Sequence, residues 1–543
     1  MRITLINPPH ADWSLCNTLT YAACRTYYNA AGQHHDEVEW IEPPYRWDEY
    51  QSAAEVADLV AGCDVVMFSS YVWNYDIVDA IAKIVKGRNP STIVALGGPH
   101  IGDVSTRPQY DFVCQPTKPG EVFIRDLIDS HFTHGYPRVE DISWAVGSQR
   151  NDVYKLDVPV SIYRDNFDHF KTLFEYCEQK ELEPFIALET TRGCPYSCVF
   201  CEWGGGIGTK VYKKATEIVK QDLDAIAEIG FTSAYLTDAN FGIFFDRDVE
   251  IYRIAFSKGV RLTDVSTFKS KDLAKRIQLI DAWFDIVGEN ALPRERSRGV
   301  ATSQIPNISI QSISDGAMRI AKRSDLSVAD KIKLSEYIRT KCSENKYPVP
   351  NIEMILAMPG STREDFYQEM TLFWNFKSTN ERYDYMILPD SEINKAIYQE
   401  LYDIRTVEVI DDMIDEEGAE DYTPLYRNKT ITFRTMVSCH SYTADELKEM
   451  WFMNICTGYL LRTIYPMFEY NVQPPQFMKH CFAVISQFPE YTTFKAEIDD
   501  IFDPSTPPRS IRKLGGQYKK DAVEQFLEAN KQQLVREVTL ALR

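Results

Sequence analysis

The run Arg192-Gly193-Cys194-Pro195-Tyr196-Ser197-Cys198-Val199-Phe200-Cys201 sets three cysteines in a CxxxCxxC spacing just after the apolar stretch Phe185–Glu189. Three thiolates so spaced converge on one point. A single tetrahedral zinc or iron ion wants four ligands, and no nearby His or Cys offers the fourth at a conventional spacing. Three thiolates on a four-iron cluster instead leave one iron open to a small ligand. An incomplete zinc site and a cluster with an open iron ask different things of the rest of the chain.

C-terminal to the cysteines, strand and helix signals alternate. Thr216–Ile229 reads as an amphipathic helix, and Ala234–Thr237 as a strand ending in Asp238-Ala-Asn240-Phe-Gly242. Asp264–Thr267, Ile308–Gln311, Ile352–Ala357 and Tyr385–Leu388 read as later strands. Met358-Pro359-Gly360 and the helix start Thr362-Arg-Glu-Asp365 follow one of them, and Pro389-Asp390-Ser391 another. Repeated βα units with polar, Gly or Pro residues at the strand ends predict a partial or full (β/α) TIM-type barrel over residues 184–395. Chemistry on such barrels sits at the carboxyl ends of the strands.

On the N-terminal side, residues 1–135 also alternate. Ile3–Asn7, Val38–Ile41, Val65–Ser69, Val94–Leu96 and Phe112–Val113 read as strands, with helices over about Leu15–Ala31, Asp76–Lys86 and Glu121–Ile128. This pattern predicts a doubly wound, Rossmann-like α/β domain that binds ligands beyond the carboxyl ends of its strands. Those ends carry Asn7-Pro8-Pro9, Ser69-Ser70-Tyr71-Val72-Trp73-Asn74 and Gly97-Gly98-Pro99-His100. None is a GxGxxG fingerprint, so a nicotinamide cofactor is not supported. Residues 136–183 read as an irregular connector and 396–543 as a mainly helical substrate or capping region. There the acidic run from Asp411 to Glu417 reads as a solvated face. Trp451-Phe452 and Tyr465-Pro-Met-Phe468-Glu-Tyr470 read as a core stripe or a substrate wall.

Composition narrows the field. At 543 residues the chain can hold two to four domains. Its 79 acidic and 59 basic side chains leave a net charge of −20, which repels phosphate backbones and speaks against nucleic acid as a partner. MRITLINPPH reads as a buried strand rather than a signal peptide, and no apolar stretch is long enough for a membrane span. Of twelve cysteines, Cys16, Cys24, Cys63, Cys114, Cys177, Cys342, Cys439, Cys456 and Cys481 are scattered in apolar surroundings, as buried thiols of a reducing cytoplasm are. The expected location is therefore cytoplasmic.

The cysteine run after a strand resembles the signature of the radical S-adenosylmethionine (radical SAM) superfamily. Asp238-Ala-Asn240-Phe-Gly242, Ser309-Ile-Gln311-Ser312, Glu353-Met-Ile-Leu-Ala-Met-Pro359-Gly360 and Tyr385-Met-Ile-Leu388-Pro389 resemble its later strand motifs, in order. The loops at residues 69–74 and 96–100 are similar to those of cobalamin-binding domains found ahead of such barrels. The resemblance, to cobalamin-dependent radical SAM enzymes of the class B methyltransferase type, covers about residues 1–440. The DxHxxG motif that supplies an axial histidine in many cobalamin proteins is absent, as it is in this group.

That resemblance implies a role for each group of residues. Cys194, Cys198 and Cys201 hold a [4Fe–4S] cluster whose open iron chelates S-adenosylmethionine. Phe200, Glu202, Trp203, Asp238, Asn240, Ser309, Gln311, Glu353 and Leu388 surround S-adenosylmethionine. Ser69, Tyr71, Trp73, Asn74, Gly97, Gly98, His100 and Glu121 meet cobalamin, with Trp73 over the lower cobalt face. Each assignment has a plainer rival: strand-end capping for the polar residues, a core position for Trp73, a helix cap for Glu121, a flexible loop for Gly204–Gly206. Alternation along a strand puts Ser309 and Gln311 on one face and Ile310 on the other. The implied activity moves a methyl group from S-adenosylmethionine, via methylcobalamin, to an unactivated carbon of a peptide or small-molecule substrate. The alternatives are ring contraction or cyclisation without methylation, and a cofactor-binding sensor without turnover. An electron donor such as flavodoxin or ferredoxin is implied, with no membrane partner. Lys271, Arg294, Arg296 and Arg298 form either a solvated basic face or an entrance for a carboxylate.

Overall fold

The computed structural model describes residues 1–9, 18–116, 118–151, 160–182, 184, 186–202, 210–263, 270–289, 308–345, 349–350, 352–376, 382–389, 391–411, 425, 431–468, 472–514 and 517–542. The N-terminal sheet holds β1 (Arg2–Ile6), β2 (Glu39–Trp40), β3 (Val65–Ser69), β4 (Ile93–Gly97) and β5 (Phe112–Val113) in the order β2-β1-β3-β4-β5. Every pairing is parallel. Side chains of a strand alternate between faces, and both faces are covered here. Ile3, Leu5, Val65, Met67, Ile93 and Ala95 share one core with helices α1 (Leu19–Ala31) and α4 (Gly120–His134). Ile6, Val66, Phe68, Val94 and Leu96 pack the other way, with α2 (Ala53–Leu59) and α3 (Tyr75–Arg88). The doubly wound domain expected from the sequence is present, in the 2-1-3-4-5 order of flavodoxin-like sheets.

The two glycines at the end of β4, Gly97 and Gly98, differ in kind. Gly98 has φ +101°, and a Cβ there would press on the carbonyl oxygen of Ser70 and lie 2.6 Å from its nitrogen. A Cβ on Gly97 would meet the Cys114 Cβ at 3.7 Å, an ordinary contact. Gly98→Ala is therefore expected to cost about 1–3 kcal/mol in backbone strain alone, lowering the melting temperature, while Gly97→Ala melts like the parent chain.

The segment expected to be irregular is helical in its C-terminal part. Ile162–Asp165 and Phe167–Gln179 form two helices that fasten the N-terminal domain to the second α/β unit. Asn166 Nδ2 donates to Thr26 Oγ1 (2.9 Å), Thr26 Oγ1 to Asp165 Oδ2 (2.7 Å) and Tyr176 OH to Asp48 Oδ1 (2.6 Å). On the far side Ser161 Oγ donates to Asp222 Oδ1 (2.6 Å) and Tyr163 OH to the Ala187 carbonyl. The sequence signal was present: Phe167, Phe170, Leu173, Phe174 and Cys177 recur at helical spacing.

The second α/β unit contributes β6 (Ile186–Leu188), then β7 (Thr191–Arg192) paired antiparallel with β8 (Tyr212–Lys213). The strands β9 (Ser233–Leu236) and β10 (Arg261–Thr263) continue from β6 in a parallel sheet ordered β10-β9-β6. A second parallel pair joins β11 (Ile308–Gln311) to β12 (Ile352–Met354), and a parallel bridge from Ile355 to Tyr383 leads to β13 (Met386–Ile387). These are two arcs of a parallel βα unit; among the described residues no pairing closes them into a full barrel. The strand expected at 264–267 lies outside the described residues, and β10 ends just before it.

Beyond residue 396 the described residues are mainly helical, as expected, but the region also carries strands that the sequence reading did not foresee. The strands β14 (Arg405–Asp411) and β15 (Ile431–Ser438) pair antiparallel, and β15 also pairs antiparallel with β13. Thr406-Val407-Glu408-Val409-Ile410 is β-branched and alternating, with Val407 and Val409 buried and Glu408 exposed. The acidic run beside it masked that signal; residues 412–417 lie outside the described residues. From Ala444 to Ile501 the described residues are mainly helical, starting at a capping box between Thr443 and Glu446. Trp451, Phe452, Tyr465 and Phe468 are core residues there. Among the described residues no helix is long and apolar enough to cross a membrane.

Candidate functional site

The cysteine loop leaves β7 at the carboxyl end of the β6 arc. Gly193 has φ +99°, and a Cβ there would strike the Lys210 carbonyl oxygen, so the turn into Cys194 needs glycine. The middle of the loop is pinned by its backbone: Val199 N donates to the Ala321 carbonyl (3.1 Å), and Ile393 N to the Val199 carbonyl (3.0 Å). Cys201 N closes a turn onto the Cys198 carbonyl (3.1 Å). Cys194 and Cys198 are 8% and 9% exposed and Cys201 is half-buried. None of the three is in a disulfide. Among the described residues no three His, Cys, Asp or Glu side chains stand close enough to hold a single metal ion. A four-iron cube is wider than one ion and spaces its thiolates further apart.

The polar residues at the strand ends divide into two kinds. Asp238 is consumed by its own scaffold. Its Oδ1 accepts from Thr190 N (2.7 Å), and its Oδ2 from Thr190 Oγ1 (2.5 Å) and Thr191 Oγ1 (2.6 Å). Burial pushes its carboxyl up to about 6 against the pull of these bonds. Asn240 differs: its Nδ2 donates to Cys194 Sγ at 3.0 Å, and its Oδ1 is buried with no partner among the described residues.

Ser309 Oγ donates to Glu353 Oε2 across the β11–β12 pair. Gln311 does not simply share their face. The register slips between Ser309 and Gln311, so that Gln311 pairs with Met354, and Gln311 takes φ +66°. A bulge of this kind re-aims a side chain, which is why strict alternation from Ser309 fails. Phe200 is half-buried, edge-on to Tyr385 with ring centroids 6.5 Å apart. The Tyr385 hydroxyl is buried without a partner among the described residues. Glu202 and Leu388 are half-buried; Trp203 and Gly204–Gly206 lie outside the described residues.

A buried cationic group beneath β11 escaped the sequence reading. Arg276 Nη2 donates to Asp325 Oδ1 (2.7 Å), Arg323 Nε to Asp325 Oδ2 (3.4 Å), and Lys331 Nζ lies 3.8 Å from the same oxygen. Three cations share one carboxylate. Arg323 Nη2 also donates to the Ser309 carbonyl (2.7 Å) and Lys331 Nζ to the Ser312 carbonyl (2.6 Å). Burial pulls the pKa of Lys331 down, with Asp325 opposing. Burial pushes the Tyr196 hydroxyl of the cysteine loop up, with the Arg276 and Arg323 charges pulling against it. Arg323, Asp325 and Lys331 are near in sequence, but Arg276 joins them from about fifty residues away, across the fold.

In the N-terminal domain, Asn74 ties the strand ends together. Its Nδ2 donates to the Pro8 carbonyl (3.1 Å) and the Ser69 carbonyl (3.3 Å), and its Oδ1 accepts from Tyr71 N (2.7 Å). Trp73 is half-buried rather than core and stacks on Tyr71, with centroids 4.5 Å apart and planes 14° apart. Ser69 is buried, and His100 packs on Tyr75 with ring centroids 4.9 Å apart. Glu121 opens α4 and turns to the other unit. Arg192 Nη1 donates to Glu121 Oε1 (2.8 Å), while its Nε and Nη2 grip the two oxygens of Glu189 (2.7 and 2.8 Å). Burial pushes the Glu189 carboxyl up, but the Arg192 charge outweighs it and holds it below its usual value. One guanidinium thus joins the carboxyl edge of the doubly wound sheet to the start of the cysteine loop. Tyr212 of β8 reinforces the joint by packing against Tyr27 and Val122.

The whole arrangement has counterparts among solved structures. It superposes on the methyltransferase TsrM from Kitasatospora setae, solved with tryptophan and an S-adenosylmethionine analogue, at a TM-score of 0.55 and 15% identity, over 89% of this chain and 96% of that one. It superposes on OxsB, solved with aqua-cobalamin and S-adenosylmethionine, at a TM-score of 0.56 and 11% identity, over 99% of this chain and 80% of that one. In sequence it is 27% identical over 378 residues to the cobalamin-dependent radical SAM methyltransferase TokK of Streptomyces tokunonensis. It is a relative of the cobalamin-dependent radical SAM enzymes and has their fold.

A second relative, the 2-(S-pantetheinyl)-carbapenam-3-carboxylate methyltransferase of Streptantibioticus cattleyicolor, is 30% identical over 242 residues. The TokK match takes in 65% of this chain and 51% of the relative, and the carbapenam methyltransferase match 42% and 34%. The chain thus spans about half of one and a third of the other. No family model matches the chain.

Proposed function

We propose that the protein is a cobalamin-dependent radical SAM methyltransferase acting on an unactivated carbon of a peptide or small molecule. The observation that carries this reading is the Glu121–Arg192–Glu189 joint. It sets a three-cysteine loop at the end of one parallel βα arc against the carboxyl edge of a doubly wound sheet. Residues 1–135 then form the cobalamin domain, 136–183 the connector, 184–395 the radical SAM unit and 396–543 the substrate-side cap.

In this reading Cys194, Cys198 and Cys201 hold a [4Fe–4S] cluster, and Ser309, Gln311, Glu353, Asn240, Phe200, Glu202, Trp203 and Leu388 surround S-adenosylmethionine. When bound, the cluster supplies the electron that cleaves the sulfonium, and cobalamin carries the methyl group. The chain's own work is positioning. Asp238 fixes Thr190 and Thr191 so that the loop leaves the strand in one direction. The bulge re-aims Gln311. Trp73 stacked on Tyr71 presents an apolar plate at the sheet edge, suited to cover one cobalt face and exclude water. Ser69, Asn74, Gly97, Gly98 and His100 shape the rest of that edge. A low-potential flavodoxin or ferredoxin is the proposed reductant.

The test is anaerobic reconstitution with iron, sulfide, cobalamin and methyl-labelled S-adenosylmethionine under a strong reductant, against candidate peptides and metabolites. Labelled product with both S-adenosylhomocysteine and 5′-deoxyadenosine is expected. Formation of 5′-deoxyadenosine alone would replace this reading with a non-methylating radical enzyme.

A further inference from the structure

Asn240 is 2% exposed and held from both sides. Before it, Asp238 is locked by three hydrogen bonds; after it, Gly242 N and Phe244 N donate to Asp248 Oδ2 (2.9 and 3.0 Å) and Phe241 is fully buried. A segment so fixed cannot carry its amide away from Cys194 at little cost. The acceptor matters. A neutral thiol is a weak acceptor, whereas a thiolate makes a charge-assisted bond of about twice the strength. Cys194 bonded to iron is a thiolate, so the 3.0 Å contact gains most of its worth in the loaded protein. Donors to cluster sulfurs also favour the reduced cluster, which carries one more negative charge.

We propose that Asn240 is a positioning residue for the cluster: its side-chain amide orients the Cys194 thiolate and raises the cluster's reduction potential. This rests on the cluster-binding reading above. The Oδ1 atom left over, buried and unpartnered among the described residues, keeps the amide from flipping, since an oxygen turned toward a thiolate would be repelled.

The experiment uses the full chain reconstituted anaerobically with iron and sulfide, and reads the reduced cluster by electron paramagnetic resonance across a series of fixed potentials. Asn240→Leu and Asn240→Ala remove the donor; Asn240→Gln keeps one. The expected result is bound iron near the parent level in all three. At a fixed poise the ratio of reduced to oxidised cluster should fall about tenfold for Leu and Ala, equivalent to about 59 mV for a one-electron couple, and lie nearer the parent for Gln. Loss of the cluster in Leu and Ala but not in Gln would equally support a donor that holds Cys194. Unchanged reduced fractions in Leu and Ala, or loss of the cluster in all three, would overturn the proposal. A parent protein that assembles no cluster fails at the earlier step, and the functional reading falls with it.

Discussion

Cys198→Ala is expected to bring bound iron and sulfide to background and to cut reductive cleavage of S-adenosylmethionine by more than about a hundredfold, the upper cost of losing even an outer-shell partner of a metal site. The reason is ligand count. Three thiolates are the fewest that can seat a four-iron cluster while leaving one iron open, so no spare ligand stands in for a lost one. The fold should survive. Cys198 is already 9% exposed, and the loop around it is held by backbone bonds through Val199, which the substitution leaves alone. Circular dichroism and a melt within a few degrees of the parent would show this. Cys456→Ala, deep in the helix Ala444–Tyr459, is the control and should keep its iron. Full iron content in Cys198→Ala would sink the cluster assignment.

Arg382→Met is expected to destabilise the chain by about 3–5 kcal/mol, the usual cost of stranding one member of a buried ion pair. The Arg382 side chain is fully buried and that of Glu369 nearly so. Nε donates to Glu369 Oε2 (2.6 Å), Nη2 to the Phe366 carbonyl (3.1 Å) and Nη1 to Asn454 Oδ1 (3.3 Å). The guanidinium also lies 4.3 Å from the ring centres of both Phe366 and Phe373. Glu369 in turn accepts from Ser312 Oγ (2.9 Å) and Ile313 N (3.3 Å) at the exit of β11. One pair therefore links β11, the approach to β13 and the C-terminal helices. Burial already pushes the Glu369 carboxyl up, with Arg382 pulling against it. Without Arg382 its folded pKa rises further above the unfolded value of about 4.3. The charge-dependent part of the deficit is then small below the parent's own raised folded value and grows as pH climbs from there to the new, higher one. Urea unfolding at pH 5 and pH 8 would measure it. Arg382→Met with Glu369→Leu should recover much of the loss, because no charge is left stranded. Equal stability of Arg382→Met and parent at pH 8 would contradict the argument.

Several strand-end residues flagged in the sequence turned out to be spoken for. Asp238 spends both oxygens on Thr190 and Thr191, and Glu121 turns to Arg192. A residue's hydrogen-bonding capacity is finite, and whether neighbours exhaust it depends on contacts dozens of residues away. The same limit hid the Arg276–Arg323–Lys331–Asp325 group, which Arg276 completes only through the fold. The helical connector and the alternating β14 were legible by period alone and were obscured by their polar surroundings.

The sequence by itself determined the local rules: a cysteine spacing that suits a cluster with an open iron, and alternating strands and helices that build parallel sheets. These follow from chain geometry within a few residues. The tertiary structure alone decided which polar groups are left free to meet a ligand. It left the Asn240 amide on Cys194, slipped the register at Gln311, and joined the two units through Arg192. Those outcomes depend on long-range pairing and burial, where a charge or a hydrogen bond must find its partner across the fold or remain unpaired at a cost.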